Sequence, residues 1–171
     1  MRAEEVESIF DVETELFPCL VDMRFLGVRV DIQEAHSLKQ KLVQEEKECL
    51  LQVQRETGIE PQIWAARSIE KVFQKLSLPF DRTEKTGAPS FTKNFLQNHP
   101  HKLVKLIARA REINKAHTTF IDTIIKYEHK GRIHAEINQL RSDQGGTVTG
   151  RFSYANPNLQ QIPARNKELG P

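Results

Sequence analysis

Lys102-Leu103-Val104-Lys105-Leu106-Ile107-Ala108-Arg109-Ala110-Arg111-Glu112-Ile113-Asn114-Lys115, continued by Thr118-Thr119-Phe120-Ile121-Asp122-Thr123-Ile124-Ile125-Lys126-Tyr127-Glu128, carries the apolar step of a long helix. Leu103, Leu106, Ile107, Ala110, Ile113, Phe120, Ile121, Ile124 and Ile125 recur mostly at three and four residues, which puts them on one buried stripe. The opposite face is basic. Residues 102–130 hold seven Lys/Arg against three Asp/Glu, a net +4. Pro100 precedes the run and Gly131 closes it, as expected of helix boundaries.

The segments upstream repeat this pattern. Glu4 to about Leu26 reads as an amphipathic helix through Val6, Ile9, Phe10, Leu16, Cys19, Leu20, Met23 and Leu26, with Pro18 expected to kink or split it. Gly27 ends it, Val28-Arg29-Val30 is a short extended link, and Asp31-Ile32-Gln33-Glu34 matches a capping box. Ala35, Leu38, Leu42, Val43, Leu50, Leu51 and Val53 mark a second long helix, closed by Gly58 and Pro61. Ile69, Val72, Phe73 and Leu76 mark a short third helix that Ser68 could cap. Trp64, just before it, is expected as a core anchor. Pro79 ends that helix, Thr83 to Phe91 reads as a polar loop, and Thr92 can cap a helix through Leu96.

Downstream, Arg132-Ile133-His134-Ala135-Glu136-Ile137-Asn138 largely alternates polar and apolar, the period of a half-buried strand. Gly145 to Pro163 then loses all helical period, with three glycines and two prolines among amide and hydroxyl side chains around Arg151. Such a stretch is a loop with a defined path. The expected fold is therefore mostly α with a short antiparallel β segment near the C-terminus.

The 171 residues can bury one good core or one domain and part of another. No apolar run approaches the roughly 18 residues of a membrane span, so no membrane partner is expected. The acidic start Met1-Arg2-Ala3-Glu4-Glu5 lacks a signal core, and Cys19 and Cys49 lie far apart; a cytoplasmic chain with reduced thiols is the expectation. The net charge of +2 conceals a division: residues 1–60 carry seven Lys/Arg and fourteen Asp/Glu, residues 61–171 eighteen and nine. A basic C-terminal two-thirds suits a surface that meets nucleic acid, although a solvated lysine-rich face explains the charge alone equally well.

Several possible sites are incomplete. Gly145-Gly146 and Gly150 lack the Lys-Ser/Thr ending of a phosphate loop. His99 and His101 have no companion ligands, Ser153 has no histidine placed as its base, and Asp143 has no second carboxylate nearby. No catalytic residue and no metal ligand is assigned. Lys, Arg, Ser and Thr in the Lys85–Lys93 loop, on the basic helix and in the glycine-rich loop are the usual contacts to phosphate and sugar.

Thr149-Gly150-Arg151-Phe152-Ser153 with Pro157-Asn158-Leu159-Gln160-Gln161-Ile162-Pro163 resembles the T-G-R-L-S-S-x-x-P-N-L-Q-N-I-P motif of family A DNA polymerases. Gly27-Val28-Arg29-Val30-Asp31, Lys85-Thr86-Gly87 with Ser90, Arg111-Glu112-Ile113-Asn114-Lys115 with Thr118-Thr119-Phe120, and Gly131-Arg132-Ile133-His134 with Asn138-Gln139 resemble further motifs of that family in the same order. The variant wording resembles phage-type members.

The resemblance implies a helical thumb over residues 15–130, the start of an incomplete palm over 131–171, and a tail of the exonuclease-domain region over 1–14. It implies primer–template DNA and the remainder of the polymerase as partners. DNA contacts are implied at Lys85, Thr86, Ser90, Arg111, Lys115, Thr118, Thr119, Asn138, Thr149, Arg151, Ser153, Asn158 and Gln160. Phe91, Phe152, Tyr154 and Gln161 depart from the family wording. The metal-binding aspartates of the family lie in motifs that the chain does not reach. Mg2+ is therefore expected for the complete enzyme, no cofactor for this fragment, and no activity for this chain alone. The competing expectation is a non-enzymatic helical nucleic-acid-binding module.

Overall fold

The computed structural model describes residues 3–139, 147, 149 and 151–163. The chain forms two compact units: residues 1–36 with 120–171, and residues 37–119.

In the first unit, α1 (Ala3–Leu26) is one helix that includes Pro18, so of the kink or split expected there the split does not occur. Gly27 ends it in the left-handed region at φ 68°, donating its N–H to Met23 O at 2.9 Å. The reason for glycine is spatial as well: a Cβ there would stand 2.8 Å from both the Ile133 carbonyl oxygen and Nδ1 of His134. β1 (Val28–Arg29) follows. Asp31 then accepts the N–H groups of Gln33 and Glu34 at the start of α2 (Ile32–Thr57), satisfying two of the donors that a helix N-terminus leaves open.

The second unit takes in the rest of α2, which ends where Gly58 turns left-handed at φ 73°. α3 (Ala66–Lys75) begins two residues before Ser68, so Ser68 is not its cap. The Ser68 hydroxyl instead accepts the Gln62 N–H at 2.9 Å, fastening the preceding turn. β2 (Asp81–Arg82) and β3 (Pro89–Ser90) pair antiparallel, which makes a hairpin of the stretch expected as a plain loop. Thr92 caps α4 (Lys93–Asn98) through the Phe95 N–H, as its position predicts. His101 caps α5 (Lys102–Lys115) through the Leu103 N–H.

The core of this unit is aromatic. Phe73 is fully buried, with ring centroids of Phe91 at 4.8 Å, Phe95 at 5.9 Å, Phe80 at 6.2 Å and His99 at 5.6 Å. Val53, Ile69, Val72, Leu96, Leu103, Val104 and Ile107 pack around them. His99 and His101 thus serve as a packing group and a helix cap. Burial, and His101 beside it, lower the proton affinity of His99.

The long helix is not uniform. α5 passes into a π-helical turn over Ala116–Ile121 and then α6 (Asp122–Tyr127). The chain thereby returns to the first unit, where β4 (Glu128–His129) and β5 (Arg132–Ile133) join β1 in a sheet of order β1-β5-β4. β6 (Glu136–Asn138) pairs with β7 (Ser153–Ala155) in a separate ladder. The single strand expected over residues 132–138 is therefore two strands in two sheets. Leu20, Ile121, Ile133 and Ala135 are buried in this unit. The architecture is mostly α with short antiparallel strands, as the sequence implies.

Candidate nucleic-acid interface

The expected site residues fall in both units. In the first, the antiparallel register Asn138↔Ser153, Ile137↔Tyr154 and Glu136↔Ala155 anchors the motif segment. Its backbone is fastened by its own polar side chains. Thr147 Oγ1 donates to the Arg151 carbonyl at 2.6 Å, and Gln160 Nε2 donates to the Phe152 carbonyl at 2.9 Å. Asn158 Oδ1 accepts the Gln160 N–H at 3.1 Å, capping a 3-10 turn over Leu159–Gln161. Asn156, at φ 47°, donates to Glu136 Oε2 at 3.1 Å, and Pro157 after it is buried.

Arg151 is thus held by its backbone while its side chain is exposed, with no carboxylate on its guanidinium among the described residues. Asn158 and Gln160, expected at DNA, spend part of their hydrogen-bonding capacity on shaping the loop, although both are exposed. Thr149 is exposed, and Ser153 and Asn138 are half-buried in the ladder. The expectations about Asp143, Gly145, Gly146 and Gly150 lie outside the described residues.

In the second unit, Lys85 and Thr86 are exposed in the β2–β3 turn, where Thr83 Oγ1 and Thr86 Oγ1 are 2.6 Å apart and Gly87 takes φ 63°. Arg82 steadies the turn by donating to the Gly87 carbonyl at 2.9 Å and pairing with Glu70. Ser90 is half-buried opposite Asp81. Lys115, Thr118 and Thr119 are exposed at the end of α5 and in the π-helical turn, and Thr118 Oγ1 donates to the Asn114 carbonyl.

Arg111 is half-buried and committed internally. Its Nε donates to the Ile63 carbonyl at 2.6 Å and its Nη1 to the Phe91 carbonyl at 2.7 Å. Burial lowers its pKa; a guanidinium starts so high that it stays charged. Arg111 therefore ties α5 to two loops.

Trp64 is not the core anchor expected: it is 60% exposed. Its indole N–H donates to Asn114 Oδ1 at 2.8 Å, and the Arg111 guanidinium carbon lies 5.5 Å from its ring centroid. Asn114 donates in turn to Glu46 Oε1 at 3.0 Å, and Glu46 Oε2 meets Nε2 of the buried His117 at 2.6 Å. Trp64, Leu96 and Ala108, with Lys93 and Lys115, line a cleft of about 260 Å3. Sequence reasoning missed Glu46, Asn114 and His117. Its one signal was the interruption of the apolar stripe between Ile113 and Phe120, where His117 sits.

Among the described residues no group of three or more His, Cys, Asp or Glu could hold a metal ion, and no helix is long and apolar enough to cross a membrane. Cys19 and Cys49 are free thiols. Burial and the Glu45 carboxylate push the Cys49 thiol up, which disfavours the nucleophilic thiolate.

The exposed Arg151, Lys85, Lys115 and neighbouring hydroxyls offer hydrogen-bond donors suited to an anionic partner. The model of DNA polymerase family A matches residues 32–170, and the chain belongs to that family. It is 30% identical to a DNA-directed DNA polymerase of Pseudomonas phage M6 over 96% of this chain and 26% of that protein. It is 32% identical to DNA polymerase DpoZ of Acinetobacter phage SH-Ab 15497, over 99% and 30% respectively. A thermostable DNA polymerase I of Thermus filiformis is 35% identical over 91% and 19%. The chain thus spans about a fifth to a third of the length of these relatives. The fold is similar to the POL domain of Pol1 from M. smegmatis, solved in complex with DNA primer-template and dNTP. That likeness has a TM-score of 0.73 at 22% identity, covering 91% of this chain and 27% of that one.

Proposed function

We propose that this family A DNA polymerase segment grips primer–template duplex DNA during replication. Residues 15–130 act as the thumb, residues 131–171 begin the palm, and residues 1–14 lead in from the exonuclease-domain region. The observation that carries the reading is the motif segment itself: a loop fastened by Thr147, Asn158 and Gln160 leaves Arg151 exposed for an anionic partner. Lys85, Thr86, Lys115, Thr118, Thr119 and Thr149 add exposed donors. Ser90, Asn138 and Ser153 are half-buried donors, and Arg111 contributes by holding α5 rather than by reaching out. A non-enzymatic binding module accounts for the charge and the helices but not for the family match.

Binding of a labelled duplex should fall steeply with salt, log K declining linearly with log salt at about −0.9 per phosphate neutralised. Arg151→Ala should weaken it roughly tenfold, the scale of a hydrogen bond to a charged group. Fluorescence anisotropy measures both. Absence of binding at low salt would remove the grip from this chain, and unchanged affinity in Arg151→Ala would remove Arg151 from it.

The complete polymerase is a nucleotidyltransferase that uses Mg2+, working in the cytoplasm of a bacterial or phage-infected cell. The donor set described here does not fit the ion, because no carboxylate cluster assembles among these residues. This chain by itself is therefore expected to give no primer extension with Mg2+ and all four nucleotides. Extension above a no-protein control would refute that assignment.

A further inference from the structure

The three-stranded sheet of the first unit presents an unusual row. Arg29 and Arg132 are register partners across β1 and β5, and His129 is the partner of Arg132 across β5 and β4. Directly opposed residues share one face of a sheet, so Arg29, Arg132 and His129 stand side by side. The neighbouring row contains Ile133, which is 1% exposed, so the row of Arg29 and His129 faces outward, where both are exposed. Like charges placed directly opposite destabilise a strand pair.

A second cost lies at the end of the row. Lys130 and Gly131 form the tight β4–β5 turn with φ values of 51° and 78°. A turn with two left-handed residues favours Asn, Asp or Gly at the first of them, and a lysine there is strained. Lys130 is exposed and lines, with Arg29, Arg132, Asp31 and Gln33, an open groove of about 530 Å3. Among the described residues no carboxylate pairs with Arg29, Lys130 or Arg132. Asp31 is occupied by two α2 N–H groups, and Glu128 by the Gly131 N–H. Arg132 is held in place, its Nη1 donating to the Leu26 and Gly27 carbonyls at 3.1 and 3.2 Å.

We propose that this face is a second nucleic-acid contact, separate from the Thr149–Pro163 segment, which follows the phosphodiester backbone of a strand across two or three phosphates. Strands about 4.8 Å apart make the three-residue row roughly 10 Å long. Phosphate charges on one B-form strand follow about every 3.4 Å of axis. Arg29 and Lys130 supply exposed charges, and the anchored Arg132 fixes the centre. Nucleic acid rather than an acidic protein is the partner because the chain belongs to a DNA polymerase family; the choice of anion rests on the grip reading, and the site itself does not.

The test is an amide NMR titration of the 171-residue chain with a short oligothymidylate, a duplex, and an oligoglutamate peptide of equal charge. The oligothymidylate should produce saturable shifts at Arg29, Lys130, Gly131 and Arg132. Arg29→Ala and Lys130→Gly should each weaken binding and flatten the salt slope by about 0.7. Lys130→Gly relieves the turn and so keeps the fold, which separates lost binding from lost structure. No shift at these amides, unchanged affinity in both variants, or equal shifts with oligoglutamate would overturn the proposal. Duplex-induced shifts confined to residues 29 and 129–132 would sink the Arg151 grip and leave this face standing; shifts confined to 147–163 would do the reverse.

Discussion

Phe73→Ala is expected to destabilise residues 37–119 by about 3–5 kcal/mol, the cost of removing a buried aromatic ring and leaving its cavity. Four rings converge on Phe73 of α3: Phe80 and Phe91 flank the β2–β3 hairpin, Phe95 lies on α4 and His99 follows it. Because they are planar and fixed by other contacts, they cannot collapse into the space it leaves. A small domain is stable by only about 5–15 kcal/mol, so this loss brings the unit close to unfolding at ambient temperature. Denaturant titration followed by circular dichroism should show a much lower midpoint, with hydrogen exchange accelerated throughout α3 and α4. A loss below about 1 kcal/mol would mean that the rings repack, and that the core is softer than its geometry implies.

Gly27→Ala should be the most damaging single-methyl change in the other unit. The left-handed backbone costs an alanine roughly 1–2 kcal/mol. Its Cβ would also sit 2.8 Å from the Ile133 carbonyl oxygen, a backbone atom that cannot swing aside. Forced overpacking of this kind costs typically about 1–3 kcal/mol more. The damage should be local: faster exchange at Val28, Arg132 and Ile133, where β1 pairs with β5, with α3 and α4 unaffected. Protection of β1 and β5 equal to that of the parent chain would show that the strands separate to admit the methyl group at little cost.

Sequence periodicity revealed the helices, because an amphipathic stripe is a local property repeated many times. It did not reveal how far each stripe is covered: in α1 Leu20 is buried while Ile9, Phe10, Met23 and Leu26 of the same stripe are exposed. Thr92 and Asp31 were legible as caps for a related reason: each acts on N–H groups two or three residues away. Ser68 was not, since the same hydroxyl could serve the helix start or the preceding turn, and the turn at Gln62 claimed it. Trp64 was misjudged because indole size argues for burial, while its partner Asn114 lies 50 residues away. The Glu46–His117 pair was invisible for the same reason, with 71 residues between partners. Within the motif segment the residue types were legible but not their division of labour. Thr147 and Gln160 fasten backbone, which only the folded path makes evident, and that leaves Arg151 as the outward group.

The exposed Trp64 has a practical consequence. It is the only tryptophan in the chain, and the two tyrosines, Tyr127 and Tyr154, both fall in the other unit. Emission excited at the red edge of indole absorption, where tyrosine does not absorb, therefore reports residues 37–119 alone. The melting of residues 37–119 can thus be followed in a cuvette, without any label, apart from that of the rest of this polymerase segment.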